Sequence, residues 1–309
     1  MSSAYGPGKA ILFGEHAVVY GRPAIAVPIG KVRACATVNP GTPGAGLVMS
    51  ALDLGRIYGL ADASVDDSLR AITLNTLAFL GIRLPLDLVV EVTSTIPVAC
   101  GLGSGTAVST AIVRALAAHF GVTLPNTAVS SLVYEVEKIH HGRPSGIDNT
   151  VVTYEQPVYF VKGQPIETLR VAKPFQLVIG DTGVCSPTRV AVNDVCLAWQ
   201  CDPAGYEGLF DKIGAVADQA RRAIESGAVD LLGGWMDENH CLLQHLDVSS
   251  PELDRLVWAA KQAGAAGAKL SGAGRGGNMI ALATADSTAA VESALWAAGA
   301  RGVIVTEVR

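Results

Sequence analysis

The sequence predicts an α+β protein of two domains, and three observations carry that prediction. At 309 residues the chain exceeds what one hydrophobic core usually fills, and half of its residues are hydrophobic, enough for sizeable cores. Its first third reads as strands and turns rich in β-branched residues. Its last third interleaves strands with amphipathic helices in the manner of a split βαβ layer.

The elements follow in order. Residues 9–21 (KAILFGEHAVVYG), 23–30 (PAIAVPIG) and 33–40 (RACATVNP) read as strands punctuated by Gly and Pro. The segment 67–82 brings Leu69, Ile72, Leu77 and Leu80 near a helical period. Residues 86–97 (LDLVVEVTSTIP) form a strand that delivers the chain into a glycine-rich loop. Beyond the loop, Val108, Ala111, Ile112, Ala115 and Leu116 recur at the spacing of a helix with one buried stripe. Residues 126–142 make a second helix, with Asn126 as N-cap and Gly142 as the stop. The loop RPSGIDN (143–149) and the strand PVYFVKG (157–163) complete this region.

FQLVIGDTG (175–183) begins a new unit. Helices are expected around 188–200, 206–226, 230–246, 251–263 and 287–298, and strands at 267–274, 278–284 and 302–308, a ferredoxin-like arrangement. The boundary falls between Val171 and Phe175, which gives domains of residues 1–172 and 173–309.

Charge excludes several functions. With 23 basic and 28 acidic residues intermixed and a formal net charge of −5, no basic stripe offers itself to nucleic acid or to a membrane surface. Val92 to Val113 carries no charge, but its Gly, Ser, Thr and Pro content argues against a membrane span. The first residues lack the order of an export signal, so a soluble cytoplasmic protein is expected. The six cysteines form no C-x-x-C pair, and reduced, mostly buried thiols are expected rather than a zinc site or a disulfide framework.

Four stretches carry candidate chemistry. In IPVACGLGSGTA (96–107), Gly101, Gly103 and Gly105 remove side chains at alternate positions just before a helix. Inward-turning N–H groups and the positive end of that helix would together bind an anion. The loop is neither a Walker A sequence nor a dinucleotide fingerprint. Taken alone, it is also compatible with an ordinary glycine-rich turn. In PGKAILFGEHAVVYG (7–21), Lys9, Glu15 and His16 interrupt an apolar segment, so either they line a solvated edge or they converge on a pocket. In EKIHHGRPSGIDN (137–149), Glu137 and His141 share a helix face and Asp148 lies in the loop beyond. GAKLSGAGRGGNMIAL (267–282) is a hairpin with more glycines than a turn needs, compatible either with backbone packed against a ligand or the first loop or with a plain glycine-rich turn.

In this order, these four motifs resemble the GHMP family of small-molecule kinases, named for galactokinase, homoserine kinase, mevalonate kinase and phosphomevalonate kinase. The likeness extends over essentially the whole chain, and PGKAILFGEHAVVYGRPAIAVPI and HGRPSGIDNTVVTY look most like the branch that phosphorylates mevalonate. The resemblance implies a GHMP kinase fold, with a ribosomal-protein-like N-terminal domain and a ferredoxin-like C-terminal domain, and a site binding ATP and mevalonate in the cleft between them.

By that resemblance Asp148 receives the proton of the attacking hydroxyl and Lys9 stabilises charge beside it. Pro97, Gly101, Leu102, Gly103, Ser104, Gly105, Thr106 and Ala107 cradle the ATP phosphates. Glu137 and Ser104 hold Mg2+, and Glu15, His16, Ser145, Thr188, Gly272 and Ala273 contact the acceptor. No nucleic-acid or membrane partner is implied, and the oligomeric state stays open, a homodimer included. Related hydroxy acids, namely phosphomevalonate, the 3-hydroxyl of mevalonate and homoserine, remain alternative acceptors, with Arg143 and Arg189 as the nearest candidates to receive a substrate phosphate. So does a nucleotide-binding protein without chemistry.

Two departures from the family pattern stand out. The loop is usually G-L-G-S-S-A, its second serine giving a hydroxyl to magnesium, whereas Gly105 stands there and leaves Ser104, Thr106 or water. The last motif is usually G-A-G-G-G-G, whereas Arg275 interrupts it, to touch phosphate or to point into solvent.

Overall fold

The structure, a computed structural model, describes the chain apart from residues 98–100, 142–143 and 186 and the side chains of 140 and 141. It forms two compact units, neither of them one consecutive stretch. The first comprises Met1–Gly8, Val32–Pro97 and Gly103–Tyr154, and the second Lys9–Lys31, Val98–Leu102 and Glu155–Arg309. Strands β1 (Ser2–Phe13) and β2 (Ala24–Pro40) pair with each other and each pass from one unit into the other.

In the first unit β3 (Leu47–Ala51), β4 (Arg56–Gly59), α1 (Ser68–Phe79) and β5 (Leu88–Ser94) precede three helices, α2 (Ser104–His119), α3 (Asn126–His141) and α4 (Ile147–Tyr154). The strand order is β4-β3-β5-β2, with β3 and β5 parallel and the other pairs antiparallel. Leu88, Val90 and Val92 of β5 point into the core while Val89 and Glu91 are half-exposed, the alternation of a sheet covered on one face. The helices cover that face with Ile72 and Leu77, then Ala111, Ile112, Ala115 and Leu116, then Val129, Val133 and Val136. Burying each of the larger of these side chains contributes about 1.5–3 kcal/mol.

In the second unit β6 (Val158–Phe160) pairs with Ala24–Ala26 of β2, and β7 (Glu167–Thr168) with β6. Then follow β8 (Phe175–Asp181), α5 (Thr188–Cys201), α6 (Pro203–Ser226), α7 (Leu232–His245), α8 (Pro251–Gln262), β9 (Gly267–Ser271), β10 (Asn278–Ala283), α9 (Thr288–Ala297) and β11 (Gly302–Val308). The sheet order β11-β8-β10-β9 is antiparallel throughout, so the expected split βαβ layer is present. Two helix starts follow directly from sequence: Asp202 and Ser250 accept N–H bonds from Gly205 and Leu253, each with proline at the first helical position.

Four expectations are corrected. The two strands expected at 23–30 and 33–40 are one continuous strand, because Pro28 and Gly30 fall where neither β5 nor β6 pairs with it. The strand expected to run to Gly21 stops at Phe13, where Gly14 turns the chain at φ 94° into a 3-10 turn over Ala17–Tyr20. Asp148 is not in a loop but in the first turn of α4. The thiols are not mostly buried: among the described cysteines Cys185, Cys201 and Cys241 are exposed and Cys35 and Cys196 half-buried. Beside Cys35 the strand buries Ala34 and Ala36, α5 buries Ala191 and Val195, and the buried face of α7 runs through Met236, Asn239, His240 and Leu243, which leaves Cys241 outside it. Among the described residues no helix is long and apolar enough to cross a membrane.

Candidate active site

The first unit supplies the glycine loop from Gly103 onward and two carboxylates, Glu137 and Asp148. Pro97 is exposed and Gly103 caps α2 in the left-handed conformation at φ 75° with no side-chain hydrogen bond, so nothing from the cap competes for the first N–H groups of the helix. No acidic residue lies in that first turn, and a Cβ added at Gly105 would meet nothing within 4 Å. Open space at the positive end of a 16-residue helix suits an anionic ligand. Ser104 is half-buried and Ala107 fully buried behind it.

Past Gly105, the next residue brings a hydroxyl to a carboxylate. The hydroxyl of Thr106 donates to Glu137 Oε1 at 2.6 Å, with both residues buried. Glu137 belongs to the inward stripe of α3, following Val129, Val133 and Val136, and is only 6 % exposed. A carboxylate so placed needs charge-compensating or hydrogen-bonding partners, which Thr106 provides in part.

Asp148 is set by its neighbours. Asn149 is buried and donates to the Ser130 carbonyl and hydroxyl at 3.2 and 2.8 Å, pinning the start of α4 to α3. Ser145 accepts from the Ile147 N–H at 3.4 Å, and Thr150 donates to the Gly146 carbonyl at 2.7 Å. Asp148 and Ser145 are half-buried. Arg143 and the stop at Gly142 lie outside the described residues, while Arg189 is exposed.

The second unit gathers a separate set of polar residues. Lys9, Glu15 and His16 are 5 %, 2 % and 5 % exposed, so they line no solvated edge. The Lys9 N–H donates to the Leu102 carbonyl at 2.9 Å, joining β1 to the glycine loop. Ser271 receives a bond from the Ile11 N–H at 3.1 Å and donates to the Ile11 carbonyl at 2.8 Å, joining β1 to β9. His16, in a left-handed conformation at φ 61°, donates through Nε2 to the Ala273 carbonyl at 2.9 Å. Gly272 and Ala273 are half-buried, and a Cβ at Gly272 would meet nothing within 4 Å. Thr188 is exposed as the first residue of α5, and Gly101 is exposed too.

Sequence reasoning missed two residues here. Lys269, fully buried on β9, forms an ion pair with Glu15 and donates to the Leu270 carbonyl at 2.6 Å, and Asn239 on α7 donates to the other Glu15 oxygen at 3.4 Å. Burial raises the Glu15 carboxyl and lowers the Lys269 ammonium from their ordinary values, and their mutual attraction opposes both shifts. The available signal was a lysine inside the apolar run GAKLS, a residue that is rarely buried without a partner.

Burial, with a smaller contribution from the Arg275 charge, lowers His16 to about 4, against the hydrogen bond to Ala273. The unfolded chain protonates His16 near 6.5 while the folded protein resists it, so stability present above that pH is lost as pH falls toward 4. The loss amounts to about 3 kcal/mol. Unfolding midpoints measured from pH 7 to pH 4 should therefore fall more steeply in the wild type than in His16→Gln. Parallel curves would contradict this assignment.

Comparison with known proteins shows the family. Residues 68–156 match the GHMP kinases N terminal domain and residues 220–301 the GHMP kinases C terminal domain. The mevalonate kinase of Thermococcus sibiricus is 34 % identical over 97 % of this chain and 94 % of its own length. The chain belongs to the GHMP kinase family. A mevalonate kinase of Aeropyrum pernix is 36 % identical, with 90 % of this chain and 87 % of the relative covered. The crystal structure of L. major mevalonate kinase in complex with R-mevalonate superposes with a TM-score of 0.85 at 31 % identity, covering 100 % of this chain and 96 % of that one. The α+β GHMP kinase fold expected from the motifs is therefore the fold of this chain.

Proposed function

We propose that this chain transfers the terminal phosphoryl group of ATP to the primary hydroxyl of mevalonate, giving 5-phosphomevalonate and ADP. As a GHMP kinase it is an ATP-dependent phosphotransferase, and relatives named mevalonate kinase match it along nearly its whole length. The observation that carries the chemistry is the buried Thr106–Glu137 contact at the open start of α2, a carboxylate held where anionic phosphates would arrive. We also propose that residues 1–172 and 173–309 correspond to the two family domains.

In this reading Asp148 accepts the proton of the attacking hydroxyl, and Lys9 stabilises charge on that oxygen and on the phosphoryl group in transit. Phosphoryl transfer asks mainly for such positioning and electrostatic stabilisation. The N–H groups at the start of α2 bind phosphate oxygens, and the glycines leave room for them. His16, neutral because of its burial, and Ser145, Thr188, Gly272 and Ala273 bind the acceptor by hydrogen bonds. Glu15 acts beside them from within its ion pair.

The donors present fit a magnesium ion. Among the described residues no three His, Cys, Asp or Glu side chains group to hold a metal, and magnesium characteristically takes one or two protein oxygens with water and phosphate. Glu137, with the Thr106 or Ser104 hydroxyl, would hold it. When bound it would neutralise phosphate charge. Thr106→Val, which keeps the shape but removes the hydroxyl, should raise the magnesium concentration for half-maximal rate by about tenfold or more. A larger effect from Ser104→Ala would transfer that role to Ser104, and unchanged dependence in both would transfer it to water.

A panel of acceptors tests the function. ADP release should depend on mevalonate and exceed by far the rates with homoserine and phosphomevalonate. Folded protein that binds ATP yet turns over none of them would instead be a nucleotide-binding protein.

A further inference from the structure

The loop between β9 and β10 carries an arginine where the family pattern has glycine, and Arg275 occupies the left-handed region at φ 57°. That conformation is unfavourable for a side chain and persists where surrounding contacts enforce it. The contacts are visible. The Arg275 N–H donates to the Val248 carbonyl at 2.7 Å, and Nε donates to the Asp247 carbonyl at 3.2 Å. Gly274 packs so tightly that an added Cβ would lie 1.9 Å from the Val248 oxygen. The loop is thus seated on the corner between α7 and α8.

From that seat the guanidinium reaches further. Nη1 pairs with Asp194 on α5, and Nη2 faces the Asp247 carboxylate at 3.6 Å. The guanidinium meets carboxylates here, a partner that the sequence reading of phosphate or solvent did not include. Asp194 lies within two turns of Thr188, where α5 begins. Residues 188–190 at the start of α5 are exposed and its cap makes no side-chain hydrogen bond, so Asp194 adds a tether to a helix end otherwise held by the burial of Ala191 and Val195. On the other side of Arg275, Ala273 receives the hydrogen bond from His16.

We propose that Arg275 is a positioning residue: its ion pair with Asp194 fixes the start of α5, and Thr188 with it, relative to the Gly272–Ala273 turn, and so sets how the acceptor alcohol is held. This rests on the phosphotransfer reading above. The two side chains are 33 % and 37 % exposed, and pairs this exposed add little to global stability. A rigid planar fork is nonetheless suited to fixing geometry, and small displacements of binding groups weigh heavily on binding and rate.

The test compares Arg275→Gly, Arg275→Lys, Asp194→Asn and the double variant Arg275→Gly/Asp194→Asn. Arg275→Gly relieves the left-handed strain, so its melting temperature should not fall. The KM for mevalonate should rise about fivefold or more, with the KM for ATP within about twofold of wild type. Arg275→Lys should recover part of the loss, and the double variant should be no worse than the worse single one, because both remove one interaction. Amide hydrogen exchange in residues 188–194 should speed up in Arg275→Gly.

An unchanged mevalonate KM, unchanged exchange in α5, or additive losses in the double variant would each overturn the proposal. So would a loss of melting temperature that parallels the loss of rate. If the wild type shows no mevalonate-dependent turnover while exchange in α5 still responds to Arg275→Gly, the functional reading has failed. The acceptor-holding role of Arg275 falls with it, and only the tether stands.

Discussion

Asp148→Asn should lower kcat with mevalonate by about 10²- to 10⁴-fold while the Kd for ATP stays within about twofold of wild type. The substitution keeps the size and one hydrogen-bonding oxygen of the side chain, and it leaves Asn149, whose bonds to Ser130 pin the start of α4. What it removes is the ability to take a proton. Single-turnover measurement with bound ATP separates this loss from a loss of binding. Near-wild-type turnover would remove Asp148 from the role of base, and a loss of ATP affinity equal to the loss of rate would assign it to nucleotide binding.

Lys269→Met should lower the stability of the protein by about 3–5 kcal/mol, seen as a lower midpoint in urea, because it leaves the Glu15 carboxylate buried without its counter-charge. Glu15→Gln should be costly for the same reason, in the opposite sense. The double variant Glu15→Leu/Lys269→Met should recover most of the loss, since a buried pair exchanged for apolar groups is often close to neutral. That variant also isolates function: a folded double variant with a raised KM for mevalonate would show that the Glu15 carboxylate contributes to the acceptor site beyond holding the fold. A single Lys269→Met with an unchanged midpoint would mean that the pair does not form in solution.

The split βαβ layer was legible because short apolar runs rather than helical periods mark its strands from Phe175 onward, and because Asp202-Pro203 and Ser250-Pro251 mark helix starts by capping chemistry. The course of β2 through Pro28 and Gly30 was not legible. Whether a strand tolerates those residues depends on which of its N–H groups a neighbour needs, and the neighbours are distant in sequence. The site divides the same way. Lys9 stands out as a candidate because a charge is out of place in an apolar stretch, and Glu137 and Asp148 became candidates only through the resemblance of their local motif. Lys269 and Asn239 act through residues more than two hundred positions away, and nothing local to β9 or α7 names Glu15 as their partner.

The choice between Ser104 and Thr106 illustrates the limit. Both hydroxyls follow the glycine loop, and only the packing of α2 against α3 turns Thr106 toward Glu137. Arg275 is the converse case. As a break in a glycine motif it reads as a departure with two open meanings, and the fold supplies a third through Asp194, a residue of another element.

The most direct measurement is the identity of the product. After incubation with mevalonate, ATP and magnesium, phosphorus NMR should show a new phosphomonoester whose signal is split into a triplet by the two protons of the adjacent C5 methylene, with ADP formed in equal amount. A singlet would place the phosphate on the tertiary 3-hydroxyl, where no proton neighbours the ester oxygen. A singlet, or inorganic phosphate as the sole new species, would contradict the account.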